Sequence, residues 1–161
     1  SRGLIGFRSE FLTLTSGSGL LYHTFDKYGP IVQGLHTGRR NGALISIGQG
    51  KALPYALFNL QERGKMIIEN GIEVYEGMIV GIHSRNNDLV VNPLKGKQLT
   101  NVRASGNDEA VTLTTPVQVT LEFALEFIND DELVEVTPKS LRIRKKFLKE
   151  HERKKAARAA S

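Results

Sequence analysis

The spacing of hydrophobic residues along the chain predicts short helices. In segments 4–14 and 121–128, apolar side chains recur every three or four residues, which places them on one face of a helix. Thr120 directly precedes the second segment, and a threonine at that position caps free amide groups of the first turn. A third helix is predicted from Pro54 to about Arg63, because proline fits the first helical position.

Shorter apolar runs, bounded by glycine, proline or polar residues, predict strands. We expect strands at 20–28, 43–47, 65–69, 72–75, 78–83, 88–91, 110–113, 133–136 and 141–145. Asn70 and Gly71 lie between two of these runs, and this dipeptide favours a tight β-hairpin turn. The elements follow no regular strand–helix–strand repeat. The sequence therefore predicts an α+β fold, mixed and rich in strands, with short helices.

In the stretch 92–110, called the basic loop below, the apolar residues follow neither the helical period of about 3.6 residues nor the strand period of about two. Pro93, Gly96 and Gly106 interrupt any regular element, and no acidic residue occurs between Leu89 and Asn107. A long stretch without secondary structure inside a compact domain is either functional or disordered. Cations and hydrogen-bonding side chains suit the phosphate and sugar oxygens of nucleic acids, and a solvated connection is the alternative. These side chains are Lys95, Lys97, Gln98, Thr100, Asn101, Arg103 and Ser105.

Composition is that of an ordinary globular protein. The chain has 161 residues, 40% hydrophobic and 24% charged, which suits one medium domain or two small ones. It contains no cysteine, which excludes disulfide bonds and thiolate metal sites. No stretch approaches the roughly 20 apolar residues of a membrane span, so no membrane partner is expected.

The net charge of +5 is concentrated near the end of the chain. The basic tail, residues 139–161, has ten Lys or Arg residues against two Glu residues, a net charge of +8. Residues 1–138 have twelve basic against fifteen acidic residues, a net charge of −3. A basic segment on a balanced domain indicates contact with a polyanion, with a solvated end helix as the alternative. From Phe147 onward, the tail has little apolar face and predicts a solvent-facing helix.

Motifs for catalysis and metal binding are weak. The chain has no nucleotide-binding loop of the type G-x-x-x-x-G-K-[ST], and its four histidines lack the spacing of metal ligands. No carboxylate is paired with a nucleophile, so we predict neither a catalytic residue nor a metal site. Aromatic residues make up 7% of the chain and do not alternate with basic residues, as stacking on single strands would require. Any RNA contact is therefore expected to recognise backbone and shape, which suits structured RNA.

Long segments of the chain resemble one family, the TypA/BipA translational GTPases. Residues 1–22, from Ser-Arg-Gly-Leu-Ile-Gly-Phe to Gly-Leu-Leu-Tyr, resemble the last elongation-factor-G-like domain of that family. Five further segments resemble its family-specific C-terminal domain, in the right order: 41–46, 50–52, 73–81, 96–106 and 130–138. The similarity covers essentially the whole chain.

The resemblance implies a division of the chain and a parent protein. Residues 1–33 would be part of a ferredoxin-like α/β sandwich domain, and residues 34–161 the family-specific, β-rich domain. The parent would be a bacterial, cytoplasmic, ribosome-binding GTPase of the kind linked to stress responses. Its GTP and magnesium sites would lie in a domain outside this chain. The chain itself would then bind no cofactor, act as no enzyme and be a monomer.

The resemblance also implies the partners and the site residues. In the family, the long loop reaches the large ribosomal subunit and touches its rRNA and A-site tRNA, and Lys97 and Arg103 match basic positions of that loop. Gln98 stands where some members have a second lysine. The basic tail adds further cations to the expected contact. The composition of the loop and the tail, together with the resemblance, gives the predicted RNA-binding residues: Lys95, Lys97, Gln98, Asn101, Arg103, Ser105, Arg142, Arg144, Lys145 and Lys146.

Three alternative functions stay open at this stage. One is a free-standing RNA-binding module that acts without a GTPase. Another is a structural adaptor whose tail binds an acidic protein. The third is a small enzyme that uses the glycine-rich turn at 48–51 as an anion site.

Overall fold

The architecture is given by a computed structural model that describes residues 4, 7–30, 39, 41–96 and 112–160. This part of the chain contains four helices and eight short strands. The helices are α1 (Phe7–Leu14), α2 (Pro54–Gln61), α3 (Leu121–Phe127) and α4 (Glu150–Ala160). The strands are β1 (Ala43–Ser46), β2 (Gly50–Lys51), β3 (Gly64–Met66), β4 (Glu73–Val74), β5 (Ile79–His83), β6 (Leu89–Val91), β7 (Glu132–Val136) and β8 (Leu141–Lys145).

Four strands form the main sheet, in the order β3-β5-β1-β6. Strand β1 pairs antiparallel with β5 and parallel with β6, while β3 pairs antiparallel with β5. All four residues of β1 are buried, as expected of a continuous apolar run in a central strand. Helix α2 packs beside β3 and contributes the buried side chains Ala56, Leu57 and Leu60. The sheet and this helix enclose the main core.

Strands β7 and β8 form an antiparallel hairpin that is attached to the end of the main sheet. The Lys145 amide donates to the Gly77 carbonyl at 2.9 Å, and Met78 forms a bridge with Arg144. Gly77 has a φ of +85°, and a Cβ there would lie only 2.7 Å from the Leu148 Cα. A side chain at this position would therefore separate the hairpin's following segment from the sheet.

Helix α3 closes the core from the side of the hairpin. The Thr120 side chain accepts a hydrogen bond from the Phe123 amide at 3.1 Å, which confirms the predicted cap. Ala124 and Phe127 are buried against the same core as Ile143 of β8. The hairpin and the main sheet thus share one hydrophobic interior.

The structure confirms the α+β class and most of the predicted elements. The helices in 4–14, from Pro54, in 121–128 and after Phe147 are present, as are the strands at 43–47, 78–83, 88–91, 133–136 and 141–145. The strand expected at 65–69 is shorter and covers Gly64–Met66. The division into domains at residue 33 stays a prediction.

Two strand predictions and the hairpin prediction differ from the structure. Residues 20–28 form no strand, and their side chains are largely exposed; a strand needs a hydrogen-bonding partner, and none lies beside them among the described residues. Residues 112–113 form no strand, while the rest of the run 110–113 lies outside the described residues. The turn at Asn70 and Gly71 exists, with a φ of +75° at Gly71, but it joins no hairpin. Strand β4 is shorter than the predicted 72–75, covering Glu73–Val74, and it pairs with β2, while β3 pairs with β5.

Candidate RNA-binding surface

The outgoing end of the basic loop is held by the start of α2. After β6, the Pro93 carbonyl accepts a hydrogen bond from the Leu53 amide at 2.9 Å, and Pro93 is fully buried. Leu94 lies over the glycine-rich turn, where a Cβ added to Gly50 would come within 3.2 Å of its Cδ2 atom. The Asn92 Oδ1 atom accepts a hydrogen bond from the Leu94 amide at 3.0 Å, which orders the turn at Pro93. The chain therefore leaves the domain from a defined position.

The segment that follows the basic loop is held beside β3 and α2. The Val117 amide donates to the Met66 carbonyl of β3 at 2.8 Å. Leu113 and Pro116 line a cavity of about 230 Å³ together with Leu57 and Gln61 of α2. The start of the loop and the segment that follows it are thus both attached to the domain near this helix.

The structure locates one of the predicted loop contacts. Lys95 is exposed, directly after the Leu94 anchor. The other five predicted loop contacts lie outside the described residues: Lys97, Gln98, Asn101, Arg103 and Ser105.

Lys145 is not available to RNA, and this sequence-based prediction is corrected. Its side chain is only 2% exposed, and its Nζ lies 2.6 Å from Asp88 Oδ2, 2.7 Å from Asp131 Oδ2 and 2.8 Å from Glu132 Oε1. Burial alone would lower the pKa of Lys145, but hydrogen bonds to the three carboxylates raise it above its usual value. Lys145 is a buried structural cation.

The other three predicted tail residues differ in whether they form an ion pair with a carboxylate. Arg144 Nε donates to Glu135 Oε1 at 2.6 Å, and this side chain is 24% exposed. Arg142 is partly exposed and Lys146 is exposed, and neither side chain has an ion pair within the described residues. Arg142 and Lys146 are therefore the two of these cations that no described carboxylate neutralises.

Glu135 also receives a hydrogen bond from the Tyr75 hydroxyl group, at 2.6 Å. Burial, followed by this hydrogen bond and the negative charge of Glu135, raises the pKa of Tyr75 well above its usual value. Tyr75 stays a neutral donor and fixes Glu135 against Arg144.

Arg39 is an unpredicted member of the group around Lys145. Its guanidinium donates to both oxygens of Glu132, at 2.7 and 2.9 Å, and to Asp88 Oδ1 at 3.1 Å. It also lies 4.2 Å from the ring centroid of Phe127, a cation–π contact. Glu132 is fully buried, and the Arg39 side chain is 6% exposed. Asp88 and Asp131 are more exposed, at 36% and 59% of their side chains. We call Arg39, Asp88, Asp131, Glu132 and Lys145 the ion-pair network.

The sequence carried one usable signal for this network. Lys145 lies two and four residues after Ile143 and Leu141, so strand alternation places it on the inward face of β8. Nothing in the local sequence indicated Arg39, since its partners lie up to 93 residues away.

The glycine-rich turn has a structural use. Leu94 covers Gly48 and Gly50, and β2 pairs through Gly50 and Lys51 with β4. Within the described residues, no group of three or more His, Asp or Glu side chains could hold a metal ion. Among the same residues, no helix has the length and hydrophobicity needed to span a membrane.

Comparison with known proteins identifies the family. The sequence model of one family, the TypA/BipA C-terminal domain, matches residues 41–150. A relative from Escherichia coli strain K12, named large ribosomal subunit assembly factor BipA, is 65% identical over 159 residues, 99% of this chain. Relatives with the same name from Haemophilus influenzae and Buchnera aphidicola are each 64% identical, over 100% and 96% of this chain. The chain spans about a quarter of the length of these relatives: 26%, 26% and 25%. This chain therefore belongs to the TypA/BipA family, and residues 41–150 match that family's C-terminal domain.

Proposed function

We propose that this chain is the RNA-contacting C-terminal part of a ribosome-associated translational GTPase. The observation that carries the proposal is the anchored base of the basic loop. The start of the loop is attached through Pro93 to Leu53, and the segment after the loop is attached through Val117 to Met66. Such a base presents the loop to a partner from a fixed position. The relatives' name, large ribosomal subunit assembly factor, supports the ribosome as that partner.

The chemistry of the basic loop supports RNA as the molecule touched. Lysine and arginine neutralise phosphates, while glutamine, asparagine and serine hydrogen-bond to sugar hydroxyl groups without reading base sequence. Lys95, Lys97 and Arg103 supply the cations, and Gln98, Asn101 and Ser105 supply the polar groups. Counterions are released when phosphates are neutralised, so binding should weaken steeply with salt.

The start of the basic tail supplies a second part of the proposed surface. Arg142 and Lys146 carry charges with no ion pair inside the described residues, and Arg144 contributes less because Glu135 already neutralises it. Residues 1–138 have a net charge of −3, so RNA should be repelled elsewhere. This charge distribution favours docking through the loop and the tail.

The proposal extends to the parent protein. Its partners would be large-subunit rRNA and A-site tRNA, and it would act as a monomer in the cytoplasm. GTP and magnesium would bind in a domain outside this chain, so the chain alone would not hydrolyse GTP.

The test is co-sedimentation of the full-length protein with ribosomes in a non-hydrolysable GTP analogue. A deletion of residues 97–106 spares the Pro93 and Leu94 anchors, so we expect an unchanged melting temperature and lost binding. The milder variant Lys97→Ala with Arg103→Ala should weaken binding in the same direction. The matched control is Arg63→Ala with Lys65→Ala, two exposed cations outside the proposed surface. Wild-type binding by both loop variants would refute the role of the loop.

A further inference from the structure

The start of helix α4 and the residues before it are fixed by two contacts to the domain and by two hydrogen bonds within the segment. The Glu150 amide donates to Glu76 Oε1 at 3.2 Å, which caps the first turn. Arg153 Nη1 donates to the Phe147 carbonyl at 3.1 Å and also to the Leu148 carbonyl. The Leu148 backbone packs directly against Gly77. The direction in which α4 leaves the domain is therefore set by the fold.

Charge is unevenly distributed along α4. Glu150 and Glu152 lie in the first turn and Arg158 in the last, an order that complements the helix dipole. Glu150 forms an exposed ion pair with Lys154 at 2.6 Å, and this hydrogen bond holds the pKa of Glu150 below its usual value. Lys155 and Arg158 are exposed and have no ion pair within the described residues. The second half of the helix thus keeps its positive charge available.

Apart from Arg153, the basic residues of α4 fall on one side of the helix. His151, Lys155 and Arg158 are separated by four and three residues, so they share a face, and Lys154 lies beside them. The side chains of Arg153 and Ala156 are the less exposed ones and mark the opposite, inward side. At 1.5 Å per residue, the basic face extends over about 10 Å.

This face fits phosphate groups better than a protein partner. Protein interfaces depend on buried aromatic or aliphatic anchors, and the exposed face of α4 carries no large apolar side chain. Contacts to a nucleic-acid backbone need only suitably placed cations. We infer that the face of α4 formed by His151, Lys154, Lys155 and Arg158 is a second contact for the phosphate backbone of RNA, separate from the basic loop. This inference rests on the proposed function, since it takes RNA as the ligand.

The test compares charge-reversal variants of the full-length protein for binding to ribosomes between about 50 and 200 mM salt. For Lys155→Glu with Arg158→Glu, we expect a loss of about tenfold in affinity and a salt dependence shallower by about 1.5 in log–log slope. The neutral variant Lys155→Gln with Arg158→Gln preserves helix propensity and should give a smaller loss in the same direction. The control Arg63→Glu with Lys65→Glu makes the same change in charge at exposed positions outside the helix.

The loop variant Lys97→Ala with Arg103→Ala, measured in parallel, separates the two proposals. If the loop variant binds weakly while the α4 variants match the Arg63 and Lys65 control, the inference on α4 is overturned and the proposed function stands. If neither variant loses affinity, the proposed function fails as well. Purified large-subunit rRNA serves as the second probe. Loss of ribosome binding without loss of rRNA binding would indicate a protein partner and would also overturn the inference.

Discussion

Arg39 and Glu132 form a buried ion pair between positions 93 residues apart in the sequence. Two hydrogen bonds, of 2.7 and 2.9 Å, join the guanidinium to the two carboxylate oxygens. Arg39 lies before the range 41–150 that matches the family's C-terminal domain. The fold of this domain is therefore completed by a residue outside the matched range.

Removing Arg39 should destabilise the fold. In the variant Arg39→Met, Glu132 keeps only Lys145 as a cationic partner, and breaking a buried pair costs about 3 kcal/mol or more. We expect a loss of about 3 kcal/mol in the free energy of unfolding, measured with urea. The control Arg63→Met changes an exposed arginine and should stay within about 0.5 kcal/mol of the wild type. Equal stabilities for the two variants would show that the Arg39 pair is not a stabilising element.

Adjacent residues Lys145 and Lys146 should have opposite roles. The variant Lys145→Met leaves Asp88, Asp131 and Glu132 with one fewer cation, and we expect a loss of about 3 kcal/mol in stability. The variant Lys146→Met removes an exposed charge and should change stability by less than about 0.5 kcal/mol. Under the proposed function, it should instead weaken ribosome binding. Urea unfolding and co-sedimentation of both variants check this, and the reverse assignment would contradict the structure.

Asp88 should make stability depend on acid pH. Burial alone would raise the pKa of Asp88, but hydrogen bonds from Lys145 and from the Ala43 amide lower it below its ordinary value of 3.8. Because the folded pKa is the lower one, the charged carboxylate stabilises the fold above the unfolded pKa. This contribution is lost as the pH falls through the folded pKa. We therefore expect the free energy of unfolding to fall below about pH 4.

The variant Asp88→Asn tests this assignment. It cannot titrate, so its free energy of unfolding should fall less steeply with acid than that of the wild type. The control Asp130→Asn changes an exposed carboxyl group and should keep the wild-type slope. Parallel curves for the wild type and Asp88→Asn would assign the acid dependence to other carboxylates.

Gly77 should be more sensitive to substitution than Gly71, although both have positive φ angles. In Gly71→Ala the new methyl group meets nothing within 4 Å, so only backbone strain of about 1 kcal/mol is expected. In Gly77→Ala the new methyl group would lie 2.7 Å from the Leu148 backbone, which must move. We expect the loss for Gly77→Ala to exceed that for Gly71→Ala by at least about 1 kcal/mol in thermal or urea unfolding. Equal losses would mean that the Leu148 backbone moves aside without a further loss in the free energy of unfolding.

The elements that could be predicted are those determined by residues close together in the sequence. The helix after Thr120 has its cap and its apolar face within nine residues, and the apolar run of β1 has the continuous pattern of a central strand. The hairpin expected at Asn70 and Gly71 was wrong, because a turn sequence specifies a bend and not the partner of the strand that follows. The loop residues from Lys97 to Ser105 were identified by composition and, for Lys97 and Arg103, by the family resemblance, and they stay predictions.

The amino-acid sequence by itself determined the α+β class, the positions of most helices and strands, and the location of its basic segments. These depend on periodicity, turn chemistry and charge, which act over a few residues. Only the tertiary structure decided which charges are free: it pairs Lys145 and Arg39 with the buried carboxylate of Glu132 and leaves Lys146, Lys155 and Arg158 exposed. The physical reason is that a charged side chain stabilises the fold when distant segments bury it beside an opposite charge. The sequence gives the order of the charged residues but not the distances between them in space.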